Sequence, residues 1–256
     1  MPTYRLDLAY DGSGFHGYAR QPNVRTVQGA LEAALAPWIG PADTHVAGRT
    51  DRGVHASGQV VSFTCDEIDT HAVTRSLNSQ LAPAIAVRSI TQVEDGFHAR
   101  FSATGRAYRY CVRNSPVHDP FTASVTWTYA DALDVEAMHD GVQNVVGEHD
   151  FAAFCRKQGD RTTVRVVEWA WWKRSVNLVE LSIGGRSFCH QMVRSIVAVS
   201  IEVGRGRLDP QDVGRILVSG DRSTAKGVAP PHGLTLVAVA YGDEPLPRPA
   251  WVPETS

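Results

Sequence analysis

The sequence predicts an α+β fold of two ferredoxin-like halves, each with the element order βαββαβ and a mainly antiparallel sheet. Three observations lead to this prediction. The chain has 256 residues, enough for two small domains. Segments with the period-two alternation of half-buried strands are separated by segments with apolar residues at helical spacing. Their order in residues 1–100 recurs in residues 101–256, which are therefore the two predicted domains.

Residues 1–100 contain the first set of predicted elements. In chain order these are a strand over 3–10, a helix over 26–38, short strands over 44–48 and 58–63, a helix over 71–81 and a strand over 85–93. Thr26 belongs to the residue types that cap helix N-termini, and apolar residues at helical spacing follow it. GSGFHG at 12–17 contains three glycines and opens no helix, which indicates a loop.

Residues 101–256 contain the second set. In chain order these are a strand over 103–113, a helix over 131–146, strands over 163–174 and 176–185, a helix over 187–204, a helix that begins at Asp209 and Pro210, and a strand over 234–241. An aspartate followed by a proline is typical of a helix start. No residue-level repeat accompanies the repeated order, so the duplication is one of pattern only.

Composition and missing motifs argue against several classes of protein. Hydrophobic residues make up 43% and charged residues 20% of the chain, which argues against wholesale disorder, and no apolar run reaches membrane-spanning length. The N-terminus lacks a signal-peptide pattern, so a cytoplasmic protein is the expectation. The four cysteines form no CxxC and the histidines no HExxH, so neither a disulfide framework nor a metal site is predicted. The nucleotide-binding GxxxxGK[ST] and the hydrolase GxSxG motifs are also missing.

The formal net charge of −2 conceals an uneven distribution of charges. Acidic residues gather at 131–150 and near the C-terminus, whereas arginines gather at 20–25, 49–52 and 100–109. Such a separation could give a near-neutral protein a positive groove for a polyanion, or it could be no more than solvated surface.

The segment AGRTDRGVHASGQV, residues 47–60, places Asp51 between Arg49 and Arg52 in a glycine-punctuated turn between two predicted strands. A loop acid is often a turn residue or a surface ion-pair partner. Alternatively, the flanking cations favour the ionised carboxylate, which is the form that a nucleophile or an electrostatic stabiliser needs. The spacing alone leaves both interpretations open.

Two further segments could carry function. RAYRY at 106–110 puts Tyr108 and Tyr110 on one side of a strand. They could be half-buried sheet tyrosines, or a tyrosine here could stack on a nucleobase beside phosphate-binding arginines. Arg194 lies on a helix otherwise lined by apolar residues, so it should have a carboxylate partner. Asp51 is a candidate for that partner, although spacing does not connect the two.

Together, these segments resemble the tRNA pseudouridine synthase A family. AGRTDRGVHASGQV resembles the segment around the family's catalytic aspartate, DGFHARFSATGRAYRY (95–110) its second motif and FCHQMVR (188–194) its third. The resemblance extends from about Tyr4 to Tyr241.

The resemblance implies two α+β halves with the active site in the cleft between them. It implies a homodimer that isomerises uridine to pseudouridine at positions 38, 39 and 40 of the tRNA anticodon stem-loop, without a cofactor or a metal. By motif position, Asp51 is then the catalytic aspartate, Tyr108 stacks on the target base, and Arg194 pairs with the aspartate. Arg49 is expected at the flipped nucleotide. With Arg52 it would keep the acid ionised and bind neighbouring phosphates.

Two departures from the family pattern bear on RNA binding. The family usually has tryptophan where this chain has Tyr18, and the segment 154–165 follows the family only loosely.

The alternative to an enzyme is a non-catalytic module that binds tRNA or another RNA. Such a module would not need the carboxylate of Asp51, which would repel phosphates. The presence of Asp51, Tyr108 and Arg194 together therefore favours the enzyme.

Overall fold

The structure is a computed structural model that describes residues 1–41, 43–156, 159 and 162–253. The chain divides into two compact units. Unit 1 consists of Met1–Thr104 and Thr235–Pro245, and unit 2 consists of Gly105–Leu234 and Leu246–Ser256. The sequence placed the domain boundary at residue 100 and assigned 235–245 to the second domain, whereas this segment is part of unit 1. Within 154–165, residues 157, 158, 160 and 161 lie outside the described residues, so the effect of this segment on RNA contacts stays a prediction.

Ten strands and five α-helices make up most of the regular structure of the described residues, beside three 3₁₀ turns at Gly12–Gly14, Ala152–Phe154 and Pro231–Gly233. In chain order they are β1 (Thr3–Tyr10), α1 (Val27–Ile39), β2 (His45–Val46), β3 (His55–Thr64), α2 (Thr70–Leu81), β4 (Ile85–Val93), β5 (Ala103–Asn114), β6 (Trp127–Tyr129), α3 (Val135–Gln143), β7 (Gly147–Asp150), β8 (Val164–Ser175), β9 (Leu178–Gly185), α4 (Met192–Gly204), α5 (Pro210–Ser219) and β10 (Leu234–Tyr241). The bounds of β1, β4 and β10 are those predicted from the sequence. None of the helices in the described ranges is long and apolar enough to cross a bilayer.

The sheet of unit 1 has the strand order β4-β1-β3-β10, and β2 pairs with the C-terminal part of β3. β1 is antiparallel to both of its neighbours, whereas β10 runs parallel to β3. The Thr26 hydroxyl caps α1 by accepting a hydrogen bond from the Gly29 amide at 3.2 Å. The fully buried side chains of α1 and α2 include Leu31, Leu35, Val73 and Leu77. Their helical spacing is the amphipathic pattern that the sequence shows.

The sheet of unit 2 has the strand order β5-β9-β8-β7, with antiparallel neighbours, and β6 runs parallel to β5. Helix α3 packs against β8, α4 and α5. Two short strands that the sequence did not predict, β6 and β7, belong to this sheet. The structure thus has mixed α and β elements and mostly antiparallel pairing.

The second half departs from the predicted βαββαβ order. The elements from β5 to α5 follow the order ββαβββαα, and the last strand, β10, pairs with β3 in the sheet of unit 1. Helix α4 begins at Met192 and not at residue 187, because Gln191 has a left-handed backbone with φ of 64°. Helix α3 begins only after Asp134, whose carboxylate accepts a hydrogen bond from the Ala137 amide at 3.0 Å.

Candidate active site

Asp51 lies in unit 1, in the loop 47–54 that connects β2 to β3, and its side chain is partly buried. The loop closes with a tight turn in which the Val54 amide donates to the Asp51 carbonyl oxygen at 3.1 Å. Gly53 has φ of 78° in this turn, a conformation that favours glycine. The flanking side chains of Arg49 and Arg52 are exposed. The predicted turn is therefore present, with two cations at its surface.

A buried polar network fixes the loop on the N-terminal side of Asp51. The hydroxyls of Tyr10 and Thr50 form a hydrogen bond of 2.8 Å. The Gln59 amide donates to the Tyr10 hydroxyl at 3.2 Å and to the Gly48 carbonyl at 2.8 Å. Tyr10, Thr50 and Gln59 are all buried. Since a buried donor without a partner is costly, this network favours one conformation of the loop.

The glycine-rich loop 12–17 supports the Asp51 loop from the other side. The Tyr18 amide donates to the Thr50 carbonyl at 3.0 Å. A Cβ on Gly12 would lie 2.1 Å from the Val54 carbonyl oxygen, so only glycine permits this approach. Gly17 has φ of 94°, and a Cβ there would lie 3.1 Å from the Thr50 carbonyl oxygen. The sequence predicted a loop at 12–17 but not this contact, although its three glycines are a signal of close backbone approach.

Tyr18, where the family pattern usually has tryptophan, is fully buried behind this loop. Its ring lies 6.1 Å from the Tyr10 ring, measured between centroids. Its hydroxyl is also buried and has no hydrogen-bond partner among the described residues. Burial raises the pKa of Tyr18 well above its ordinary value. Tyr18 therefore supports the Asp51 loop from the interior and does not form part of the surface of the site.

Tyr108 lies in unit 2 on β5 and is partly buried. Its ring packs edge to face against Phe188, with 5.1 Å between the centroids. Phe188 belongs to the segment just before α4, so this contact joins β5 to the start of that helix. Tyr110 is fully buried and donates its hydroxyl to the Pro230 carbonyl at 2.8 Å. Tyr110 is therefore a sheet tyrosine, as one interpretation had it, but it is fully buried and not half-buried.

Arg194 lies in the first turn of α4 and is partly buried. Its Nε donates to the Ala229 carbonyl at 2.7 Å, and the Ala229 amide donates to the Arg194 carbonyl at 3.0 Å. Tyr110 binds the carbonyl of Pro230, the residue after Ala229, so the side chains of Arg194 and Tyr110 bind neighbouring residues of one segment. Unit 2 thus brings Tyr108, Tyr110 and Arg194 to one region. Asp51 belongs to unit 1, and its pairing with Arg194 stays a prediction.

All four cysteines are free thiols. Across residues 1–41, 43–156, 159 and 162–253, no group of three or more His, Cys, Asp and Glu side chains could hold a metal ion.

Comparison with known families adds to this geometry. Residues 8–102 and 142–242 match the family model described as tRNA pseudouridine synthase. The chain belongs to the tRNA pseudouridine synthase family. Asp51 lies within the first matched range and Arg194 within the second, whereas Tyr108 lies between the two ranges.

Similar proteins in three bacteria share the name tRNA pseudouridine synthase A. The protein of Frankia casuarinae is 42% identical over 246 residues, which cover 94% of this chain and 90% of the relative. The protein of Methylacidiphilum infernorum is 40% identical over 242 residues, which cover 93% and 95%. The protein of Thermotoga maritima is 38% identical over 238 residues, which cover 91% and 97%. This member of the synthase family thus matches its relatives over almost their whole length.

Proposed function

We propose that this protein isomerises uridine to pseudouridine at positions 38, 39 and 40 of the tRNA anticodon stem-loop, with Asp51 as the catalytic aspartate. The observation that carries the proposal is the Asp51 loop. Its motif is the segment that resembles the family's catalytic segment, and a buried network together with the loop 12–17 fixes its backbone. Relatives of similar length carry the name tRNA pseudouridine synthase A, which supports the tRNA substrate and the pseudouridine product.

The reaction breaks the bond between C1′ of the ribose and N1 of uracil, turns the base, and joins C1′ to C5. The hydrogen on C5 is lost to solvent and N1 gains one, so no atoms are gained or lost overall. An ionised Asp51 could attack C1′, assist elimination to a glycal, or attack C6 of the base. Each of these roles needs a carboxylate held in one orientation, which a fixed loop provides without reorganisation during the reaction.

The other residues of the proposed site bind the substrate. Tyr108 stacks on the target uracil, and Arg194 pairs with the carboxylate of Asp51. Arg49 lies at the flipped nucleotide, and Arg52 contacts neighbouring phosphates. Turning a base out of a stem costs a few kcal/mol, which contacts with the backbone must offset. The exposed positions of both loop arginines and the fixed guanidinium of Arg194 support this assignment.

Two further parts of the proposal concern the whole protein. It acts as a homodimer, which light scattering on the purified protein would test. A monomer at all concentrations would contradict this part alone. Since tRNA is the proposed substrate, the activity is placed in the cytoplasm, where the location of a fluorescently tagged chain would test it.

The experiment that tests the proposal is tritium release from tRNA labelled with [5-³H]uridine, because pseudouridine formation requires loss of the C5 hydrogen. We expect release with the wild type, none with Asp51→Asn, and wild-type release with Asp66→Asn. Asp66 is an exposed loop aspartate of the same unit, outside the motifs of the site, and serves as the matched control.

Each other outcome is informative. Wild-type protein that binds tRNA but releases no tritium from any tRNA would favour the alternative, a non-catalytic RNA-binding module. Equal release by the wild type and Asp51→Asn would keep the enzyme but remove Asp51 from the reaction. Mapping the modified positions on the product would test the assignment to 38, 39 and 40.

A further inference from the structure

Unit 1 carries a cluster of aromatic rings and one arginine at its surface that the proposed site does not use. The ring of His98 lies 4.5 Å from the His45 ring and 4.4 Å from the Phe101 ring, measured between centroids. The guanidinium carbon of Arg100 lies 5.4 Å from the centre of the Phe101 ring. Phe101 is 76% exposed. We call His45, His98, Arg100 and Phe101 the aromatic platform.

The turn that carries the platform is closed by His98. Its Nδ1 accepts hydrogen bonds from the amides of Arg100 at 3.1 Å and Phe101 at 3.3 Å. The His98 amide donates to the Ser102 hydroxyl at 3.0 Å, and the Ser102 amide donates to the His98 carbonyl at 2.9 Å. Four hydrogen bonds within five residues leave this turn little conformational freedom. The exposed Phe101 ring is therefore pre-positioned.

Ala99 fixes the same turn to the body of unit 1. Its side chain is fully buried in a cluster with Ala47, Val60 and Tyr241. The Ala99 amide donates to the Ser62 hydroxyl at 3.0 Å, and the Tyr241 hydroxyl donates to the Ala99 carbonyl at 2.8 Å. The sequence HARFS thus combines a buried anchor at Ala99 with exposed side chains at Arg100 and Phe101.

The charge state of the cluster suits stacking. Burial lowers the pKa of His98, and the neighbouring His45 and Arg100 lower it further. His98 is therefore neutral near pH 7 and packs as an uncharged ring. Arg100 supplies the positive charge beside Phe101. An exposed aromatic ring with an adjacent guanidinium is the combination by which single-stranded nucleic acids are bound, since every base has a face that can stack.

His45, one edge of the platform, is separated from the Asp51 loop along β3. His45 pairs with Ser62 on β3, whereas the Asp51 loop joins that strand at His55. Seven residues of strand at about 3.3 Å each separate the two positions, on the order of 20 Å. A base on the platform would therefore be a different base from the modified uridine.

We propose that the aromatic platform stacks on an unpaired base of the tRNA at a distance from the modified uridine. This proposal rests on the proposed function, because it takes tRNA as the partner. A base bound outside the reacting centre contributes equally to the ground state and the transition state. Loss of the platform should therefore raise KM and leave kcat nearly unchanged.

The test compares Phe101→Ala, Phe101→Leu and Phe101→Tyr with the wild type. Leucine keeps the apolar bulk without a π face, and tyrosine keeps the face. The matched control is Phe121→Ala, because Phe121 is 93% exposed and makes no ring or cation contact among the described residues. The measurements are the tRNA Kd, KM and kcat from tritium release, the oligomeric state, and thermal unfolding to show that each variant folds.

We expect Kd and KM to rise about 5- to 150-fold in Phe101→Ala and Phe101→Leu, as for loss of one base stack, with kcat within about twofold of the wild type. Phe101→Tyr and Phe121→Ala should bind like the wild type. Unchanged tRNA affinity in folded Phe101→Ala would overturn the proposal. So would unchanged tRNA affinity with a shift from dimer to monomer, because the platform would then contact a second copy of the chain.

The two proposals can fail separately. Wild-type protein that binds tRNA but releases no tritium would overturn the proposed function, and the platform would then be judged on the Kd ratios alone. Wild-type protein that neither binds tRNA nor releases tritium would overturn both. A fall in kcat with unchanged KM in Phe101→Ala would place the residue at the reacting centre and would also overturn the platform proposal.

Discussion

At the scale of single residues, the environment of Asp51 depends on side chains that do not themselves carry charge. Tyr10 accepts a hydrogen bond from Gln59 and shares one with Thr50, the residue before Asp51. The flanking arginines stand at the surface. Neutral side chains of unit 1 therefore hold the loop backbone that carries Asp51.

Tyr10→Phe tests whether this hydrogen-bond network holds the Asp51 loop. Without the hydroxyl, the buried Gln59 amide and Thr50 hydroxyl each lose a partner. We expect the free energy of unfolding to fall by about 1–3 kcal/mol, the cost of leaving buried polar groups unpaired. Tritium release should slow because the Asp51 loop loosens. Urea denaturation and the tritium assay measure the two effects. Wild-type values in both would mean that the network does not position Asp51.

Tyr18→Phe is the matched contrast at a neighbouring position. The Tyr18 hydroxyl is buried and has no partner among the described residues, so its removal costs no hydrogen bond with them. We expect the unfolding free energy to stay the same or to rise by up to about 1 kcal/mol. The same urea series measures it. A loss as large as that of Tyr10→Phe would show that the hydroxyl contributes to the fold.

At the scale of elements, the Asp51 loop and the loop 12–17 depend on each other. Gly12→Ala would place a Cβ 2.1 Å from the Val54 carbonyl oxygen, and backbone cannot yield like the end of a flexible side chain. We expect the unfolding free energy to fall by about 1–3 kcal/mol, as for overpacking. Tritium release should also fall, because Val54 closes the turn on Asp51.

Gly14→Ala is the control for this change. Gly14 is exposed, and a Cβ there would lie 3.7 Å from a terminal nitrogen of the Arg25 side chain, an ordinary contact. Its unfolding free energy should stay within about 0.5 kcal/mol of the wild type, with wild-type tritium release. Equal losses in both variants would mean that any side chain in the loop 12–17 is harmful, and that close approach to the Asp51 loop is not the cause.

The element boundaries that the sequence predicted well are those that local chemistry decides. Thr26 caps α1, and α5 begins at Pro210, as predicted. The predicted start of α4 at residue 187 was wrong because the apolar residue Phe188 packs against Tyr108 instead of continuing a helix. Phe188 is apolar because it packs against a residue distant in the chain and not because it lies on the buried face of a helix. Helical periodicity cannot distinguish these two cases.

The same distinction applies to the candidate site. The motif around Asp51 predicted the turn, because glycines and flanking strands are local signals. Residues 12–17 gave no sign of their partner, since the contact between Gly12 and Val54 exists only after β1 and β3 have paired. The pairing of β10 with β3 likewise joins segments far apart in the chain, which no local pattern encodes.

At the scale of the whole molecule, each unit contains a fully buried tyrosine, and burial disfavours the charged tyrosinate form. Tyr18 is fully buried in unit 1 and Tyr110 in unit 2. Burial raises the pKa of both above the ordinary value of about 10. Above pH 10 the unfolded chain loses protons that the folded chain retains. The contribution of these groups to stability is therefore fully present below about pH 10 and is lost as the pH rises beyond it.

We therefore predict that the free energy of unfolding falls above pH 10, and that Tyr18 and Tyr110 each add separately to this fall. Each group should add a slope of about 1.4 kcal/mol per pH unit above pH 10, so Tyr18→Phe should make the fall in unfolding free energy shallower by that amount. Urea denaturation between about pH 8 and pH 11, followed by tyrosinate absorbance, measures it. Burial also raises the pKa of Tyr129, but this residue keeps contact with solvent, so Tyr129→Phe should change the slope less. If Tyr18→Phe and Tyr129→Phe changed the slope equally, burial would not be the cause of the alkaline loss.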